Sequence, residues 1–327
     1  MLLAVGITLC HCREVSQYSD KDLSVHWENF KKEFKKQYDN PTQEIQKLQV
    51  FTENLKIIDQ LNAKFNPQTY FGVNHFADLT LQEFKNKYHI NFKKGAPEQS
   101  ISPNKLPYDI PESVDWRKKG AVTPITNQDQ CGSSPYFAAT TSIEGAWAIA
   151  GHPLEVLSVQ QIIDCTSTSV YDNQGCNGGL MNESIAYAAD FGLETNTSYP
   201  YTGADGSSCL GDAKKVVAKV KGVVNVPAID DDVTAALAQV PLASAIYSFS
   251  SAFQFYKSGI YNDPACAGQQ PEHGIGIVGY GQDAQGVKFY ILKNWWTTSW
   301  GEEGYMRIIR NGKNNCGLFD DVSYAVA

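Results

Sequence analysis

Gln128-Asp129-Gln130-Cys131-Gly132-Ser133-Ser134-Pro135-Tyr136-Phe137 is the stretch on which the reading of this chain turns. A proline is tolerated in the first turn of a helix, because the N–H it lacks has no intrahelical partner there. Pro135 therefore fits a helix that starts at Ser134. Tyr136, Ala139, Ile143, Ala146, Trp147 and Ala150 follow on one helical face, and Gly151 stops the run. This predicts a central buried helix over 134–150.

Working outward, the chain divides by texture. Upstream, Leu23, Trp27, Phe30, Phe34 and Tyr38 recur at helical steps, and Leu48, Phe51, Leu55, Ile58 and Asn62 repeat the pattern after the breaker Asp39-Asn40-Pro41. Residues 70–76 read as a short strand, and residues 80–88 as a third helix. Pro97, Pro103 and Pro107 mark an exposed linker over 93–108. Downstream, Ser158 with Gln161 predicts a capped helix running to Cys165, and Asn182 to Phe191 another. Beyond Val216 the pattern shifts to strands, with Ile275, Ile277, Phe289 and Ile291 alternating among glycines. Helices first and strands later indicate an α+β fold.

Composition limits the function classes. With 27 basic and 35 acidic residues among 327, the formal net charge is -8, which disfavours nucleic acid as a partner. No run of 18 apolar residues occurs, so no membrane span is expected. Of eight cysteines, Cys10 and Cys12 fall in an apolar N-terminal stretch that reads as a signal peptide over 1–16. The other six lie beyond residue 130, an even set suited to three disulfides in an oxidising compartment, with fifteen pairings open. The cysteine spacing does not suit a metal site, and no metal or other cofactor is expected.

The quoted stretch strongly resembles the active-site segment of papain-like cysteine peptidases, which reads Gln, two residues, Cys-Gly-Ser, the nucleophilic Cys and then Trp. Val114-Asp115-Trp116-Arg117, Cys176-Asn177-Gly178-Gly179, His273-Gly274 and Lys293-Asn294 with Trp296 and Trp300-Gly301 match further family segments in order. The cathepsin L branch is the nearest. Upstream, Gln43, Lys47, Phe51, Asn54, Ile58 and Asn62 fall on one face of a prosegment helix, the first two departing from the family pattern. Gly72, Asn74, Phe76 and Asp78 match the second prosegment motif. The resemblance implies a two-lobed fold, with a helical lobe and an antiparallel barrel-like lobe, preceded by a helical inhibitory prosegment. The expected division is a signal peptide over 1–16, a prosegment over 17–105 and a peptidase-fold domain over 106–327, with cleavage near Leu106 to Pro111.

The resemblance also assigns residues. Ser134 takes the nucleophile position, His273 the base, Asn294 its orienting partner and Gln128 the oxyanion donor. His273 lies 139 residues after Ser134, inside the roughly 130–150 expected. Gly178, Gly179, Leu180, Met181, Pro271 and Trp296 would line the substrate cleft. Asp321 falls at the bottom of its specificity pocket, where an acid would favour a basic side chain. The alternative for Asp321 is a surface acid beside Asp320. The implied disulfides are Cys131–Cys176, Cys165–Cys209 and Cys266–Cys316. Asn196-Thr197-Ser198 is a better glycosylation acceptor than Asn182-Glu183-Ser184.

The decisive departure is Ser134 itself. Papain-like catalysis uses a thiolate whose pKa is lowered by a helix N-terminus and an imidazolium, and a hydroxyl cannot be ionised that way. His273 would have to take the Ser134 proton during attack, oriented by a neutral amide rather than a carboxylate. Pro135 stands in place of a tryptophan, Trp295 in place of a small residue and Thr297 in place of a glycine. Together these read as drift or repurposing. The expectation is a monomeric, secreted or endolysosomal proenzyme homologue that has lost ordinary cysteine-peptidase activity. It would bind peptides, protein ligands, cystatin-like inhibitors or its own prosegment in a retained cleft. The alternative is a slow Ser134-His273-Asn294 hydrolase. Silicateins, silica-condensing relatives of cathepsin L, also carry Ser with His and Asn at these positions and are a precedent for repurposing.

Overall fold

The computed structural model describes residues 19–88 and 110–327. The expected signal peptide, the linker over 93–108 and most of the expected cleavage segment lie outside the described residues.

Three helices and a strand form the N-terminal unit. Helix α1 (Asp20–Glu33) is capped by Ser19, whose side chain accepts from the Asp22 N–H. The helical stripe was expected to reach Tyr38, but the helix ends at Glu33 because Lys35 adopts a left-handed φ of 50°. The chain then folds back, and the Tyr38 ring stacks on Trp27 at 5.6 Å. Helix α2 (Pro41–Phe65) has Pro at its start and Asn40 as its cap. From its inner face, Asn54 Nδ2 donates to the carbonyls of Ala77 and Leu79 at 2.8 and 2.9 Å. Lys47, one of the two departures from the family stripe, pairs with Glu83 at 2.7 Å.

The expected strand over 70–76 shrinks to β1 (Thr69–Phe71). Asn74 ends it by accepting from the Phe76 N–H at 2.9 Å and donating to the Gln254 carbonyl at 2.8 Å. Helix α3 (Leu81–Tyr88) starts with a reciprocal capping box between Thr80 and Glu83.

Next come β2 (Val114–Asp115) and the central helix α4 (Ser134–Ile149). Every α4 residue from Ser134 to Ala146 is buried. A single apolar face was expected. The helix is instead enclosed all round, because it packs against the sheet on one side and the helical lobe on the other. Ala150, expected on the buried face, is exposed, and Trp147 is half-buried and stacks on His152 at the surface.

Helix α5 (Val159–Thr166) is capped by Ser158, which accepts from the Gln161 N–H at 2.9 Å. The capping box is only half made. Gln161 turns its amide to Tyr187, Gly192 and Glu194 instead, and the Ser158 N–H finds the Glu194 carbonyl. Helix α6 (Met181–Asp190) completes the helical lobe.

The second lobe holds β3 (Gly222–Val226), α7 (Asp230–Leu237), β4 (Leu242–Ile246), α8 (Ser251–Gln254), β5 (Tyr256–Tyr261), β6 (His273–Gln282), β7 (Lys288–Lys293), β8 (Tyr305–Ile309) and β9 (Val322–Val326). Helix α7 was not expected in the strand-rich half. Its signal is the run Asp230, Asp231 and Asp232 in the first turn, where carboxylates favour a helix N-terminus. The sheet runs β1-β5-β8-β7-β6-β4-β9-β3, with β2 beside β6. Its pairs are antiparallel except β5 with β8. Strand β1 of the N-terminal unit pairs with β5, so the prosegment extends the sheet of the domain it covers. The disulfides are Cys131–Cys176, Cys165–Cys209 and Cys266–Cys316, as the resemblance implied.

Candidate active site

Helix α4 and strand β6 meet at their N-terminal ends. Ser134 is the first residue of α4, so its backbone N–H has no intrahelical partner and points along the positive end of the helix dipole. Its Oγ accepts from the Gly274 N–H at 3.0 Å. The approach requires glycine at 274, because a Cβ there would lie 2.5 Å from the Ser134 carbonyl carbon. Both Ser134 and His273 are fully buried.

His273 Nε2 lies 2.8 Å from Asn294 Oδ1. That oxygen also accepts from the Trp295 N–H at 2.8 Å, which fixes the amide orientation. Nε2 must therefore carry the proton and donate, which leaves Nδ1 with its bare lone pair. Among the described residues, Nδ1 has no hydrogen-bond partner. Burial drives the His273 pKa down to about 4, against the opposing Asn294 hydrogen bond. The imidazole is thus neutral at physiological pH.

This has a stability consequence. Between pH 6.5 and about 4 the unfolded chain protonates this histidine while the native chain does not. The contribution of His273 to stability is complete above pH 6.5 and is lost as pH falls through 4. The pH dependence of unfolding in that window should flatten by about 3 kcal/mol in a His273→Gln variant. Denaturant titrations at pH 4 and 7 check this, and identical slopes in both proteins would refute it.

Gln128 is buried, donates from Nε2 to the Cys131 carbonyl at 2.9 Å and accepts from Trp296 Nε1 at 3.2 Å. One amide hydrogen of Nε2 remains for an oxyanion. Trp296 covers the histidine, with ring centroids 4.7 Å apart, and stands edge-on to Phe76 and Phe84 of the prosegment at 5.3 Å each. The N-terminal unit is therefore seated directly over the His273 side of the site.

The glycine segment comes in from the other lobe. Gly178 has a left-handed φ of 105°, and its carbonyl accepts from the Tyr136 hydroxyl at 2.6 Å. A Cβ on Gly179 would meet the same hydroxyl at 2.6 Å. Leu180 and Met181 open α6 and are buried, Pro271 packs against Gly317, and Asp321 lies just before β9. Asp321 is only 8% exposed. Asn196 sits half-buried in a turn, whereas Asn182 and Ser184 of the other acceptor sequence are buried.

Three supporting features were missed in the sequence. Tyr136 and Asn173 brace the glycine segment. Tyr201 bridges Ser133 and the Gln128 carbonyl at 2.7 Å each. Thr123 connects a buried carboxylate and ammonium, accepting from Lys293 Nζ at 2.8 Å and donating to Glu144 Oε2 at 2.6 Å. Burial pushes Glu144 up and Lys293 down to about 8, each opposed by the other's charge. Thr297, in place of a glycine, sits at a φ of 62°, a conformation that a β-branched residue rarely adopts. Among the described residues no cluster is placed to hold a metal ion, and no helix is long and apolar enough to cross a membrane.

A helix N-terminus on one lobe facing a His–Asn pair on the other, under a docked prosegment, defines a papain-type peptidase fold in its proenzyme form. Comparison with known proteins agrees. Residues 110–326 match the papain family cysteine protease and residues 27–84 the cathepsin propeptide inhibitor domain (I29). Digestive cysteine proteinase 2 of Homarus americanus is 37% identical over 308 residues, spanning 92% of this chain and 94% of the relative. Procathepsin L of Mus musculus is 37% identical over 319 residues, spanning 94% and 93%. The structure of digestive procathepsin L 3 of Tenebrio molitor superposes with a TM-score of 0.84 at 34% identity, covering 93% of this chain and 99% of that one. The chain belongs to the papain family of cysteine peptidases and is a cathepsin L-like proenzyme.

Proposed function

We propose that this proenzyme does not act as an ordinary cysteine peptidase and works instead by binding peptides in its retained cleft. The observation that carries the reading is the single hydrogen bond at the nucleophile position. Ser134 Oγ is held by the Gly274 N–H, and no hydrogen bond joins it to His273 Nδ1. All six cysteines among the described residues are in disulfides, so none of them offers a thiolate. A neutral amide at Asn294 offers an imidazolium little compensation. On this reading the prosegment spans 17–105 and its removal near residue 106 uncovers the cleft over 106–327. The disulfides suit a secreted or endolysosomal setting.

Asp321 gives the cleft its preference. A buried carboxylate at the pocket base selects an arginine or lysine side chain. The test is fluorescence anisotropy on the matured protein with matched peptides carrying Arg or Leu at that position. Arg should bind at least about tenfold tighter, equivalent to ~1.4 kcal/mol, without cleavage, and Asp321→Ala should erase the difference. Equal affinities in the wild type would refute the assignment.

A second reading is supported by the bare Nδ1 lone pair of His273. It is the nitrogen a Ser134-His273-Asn294 hydrolase would use as general base. Hydrolysis of ester and amide substrates that disappears in Ser134→Ala would favour it over the binding reading.

A further inference from the structure

Four contacts converge on Trp295. Its Nε1 donates to the Gly274 carbonyl at 3.0 Å. Its backbone N–H donates to Asn294 Oδ1 at 2.8 Å. Its ring stacks on Phe137 of α4, with centroids 5.4 Å apart and planes 21° apart. Lys293 Nζ sits 5.4 Å from its ring centroid. The side chain is 1% exposed and also borders a cavity of about 80 Å³, beside Thr123, Glu144 and Lys293.

A buried indole at this spot could serve as filler for the volume lost at Pro135, yet filler needs no directed hydrogen bonds. The Trp295 indole N–H bonds to the residue that holds Ser134, whereas the bond to Asn294 comes from the Trp295 backbone and needs no indole. We propose that Trp295 is a positioning residue. Its indole fastens Gly274 to the helix that carries Ser134, and so keeps Ser134 Oγ on the Gly274 N–H and off His273 Nδ1. The inference rests on reading Ser134, His273 and Asn294 as one site, but not on whether that site turns over substrate.

The physical logic is a division of labour within one side chain. The ring carries packing, and a phenyl ring keeps most of that. The N–H carries position, and its loss strands the buried Gly274 carbonyl without a donor. Gly274 is then anchored on the α4 side by the Ser134 bond alone, and that bond opens more often.

The experiment uses the full-length chain, isotopically labelled, as wild type, Trp295→Phe and Trp295→Ser. Long-range proton–nitrogen spectra at neutral pH report the His273 tautomer, and hydrogen exchange reports the Gly274 amide. The wild type should show a single Nε2–H tautomer and a slowly exchanging Gly274 amide. In Trp295→Phe that amide should exchange at least tenfold faster and the His273 Nδ1 resonance should shift as it accepts from the freed Ser134 hydroxyl, with the Nε2–H tautomer retained, while the amides of Met306 and Ile308 in β8 stay as protected as before. Trp295→Ser should move both readouts further. The proposal is overturned if Trp295→Phe leaves Gly274 and His273 unchanged, or if it loosens β8 equally. It is also overturned if Trp295→Phe fails to fold, because the retained stack on Phe137 would then not have carried the packing. Turnover assays on Ser134→Ala, which decide the hydrolase reading, are independent of all these outcomes.

Discussion

Ser134→Cys, matured by removal of its prosegment, should be labelled one-to-one by a thiol-directed epoxide, while the wild type stays unmodified. The substituted thiol would sit at the first position of α4, a 16-residue helix whose N-terminal dipole stabilises a thiolate. A sulfur accepts only weakly, so the Gly274 N–H that holds Ser134 Oγ would not hold the thiol, and His273 Nδ1, without a partner among the described residues, can take its proton. The resulting ion pair would lift the His273 pKa from its buried, neutral value, because an adjacent anion favours the imidazolium. On the proposed assignment, Gln128 and the residue-134 N–H would serve the oxyanion. Amide turnover should rise by at least about 10²-fold, the lower end of what positioned acid–base assistance supplies. Intact-mass spectrometry after epoxide treatment checks the labelling. An unlabelled Ser134→Cys would mean that Pro135 and Trp295 have altered the cleft beyond its nucleophile.

The second large effect is expected at the buried pair behind the site. Lys293→Met leaves Glu144 without its compensating charge, in a position that is 5% exposed. Breaking such a pair from one side costs about 3–5 kcal/mol, whereas replacing both partners is close to neutral. Glu144→Gln with Lys293→Met should therefore recover most of the loss. The single variant should also depend on pH in a defined direction. Its Glu144 pKa, already raised by burial, rises further once Lys293 is gone. A carboxyl with a raised pKa contributes stability below its unfolded pKa, near 4.5, and loses it as pH rises through the folded value. The defect should thus deepen from pH 4.5 upward. Denaturant midpoints of the two variants across pH measure it, and a double variant as unstable as the single one would contradict the coupling.

Much of this site was legible before any coordinates. Ser134, His273 and Asn294 stand in motifs that hold their order and spacing; the structure joins His273 to Asn294 and seats Ser134 Oγ on the N–H of Gly274, the residue after His273. The stripe through Phe51, Asn54 and Ile58 gave a prosegment helix, because helical periodicity survives in any context that buries one face.

What was not legible depends on partners distant in sequence. Helix α4 is buried on all sides because two lobes enclose it, and nothing within 134–150 records the second lobe. Gln161 looked like a capping-box residue, but a tertiary bond to Glu194 took its side chain. Tyr38 keeps its aromatic partner although the helix that would carry it stops at Glu33, because a backbone turn at Lys35 substitutes for helical spacing. Thr123, Glu144 and Lys293 lie on three separate segments, and each looks ordinary on its own.

The decisive measurement is amide and ester turnover of the matured wild type beside Ser134→Ala. The substrates should carry a basic residue for the Asp321 pocket. Both proteins should give the same background rate, with peptide bound and uncleaved. Turnover above background in the wild type that vanishes in Ser134→Ala would contradict this and establish Ser134 as a working nucleophile.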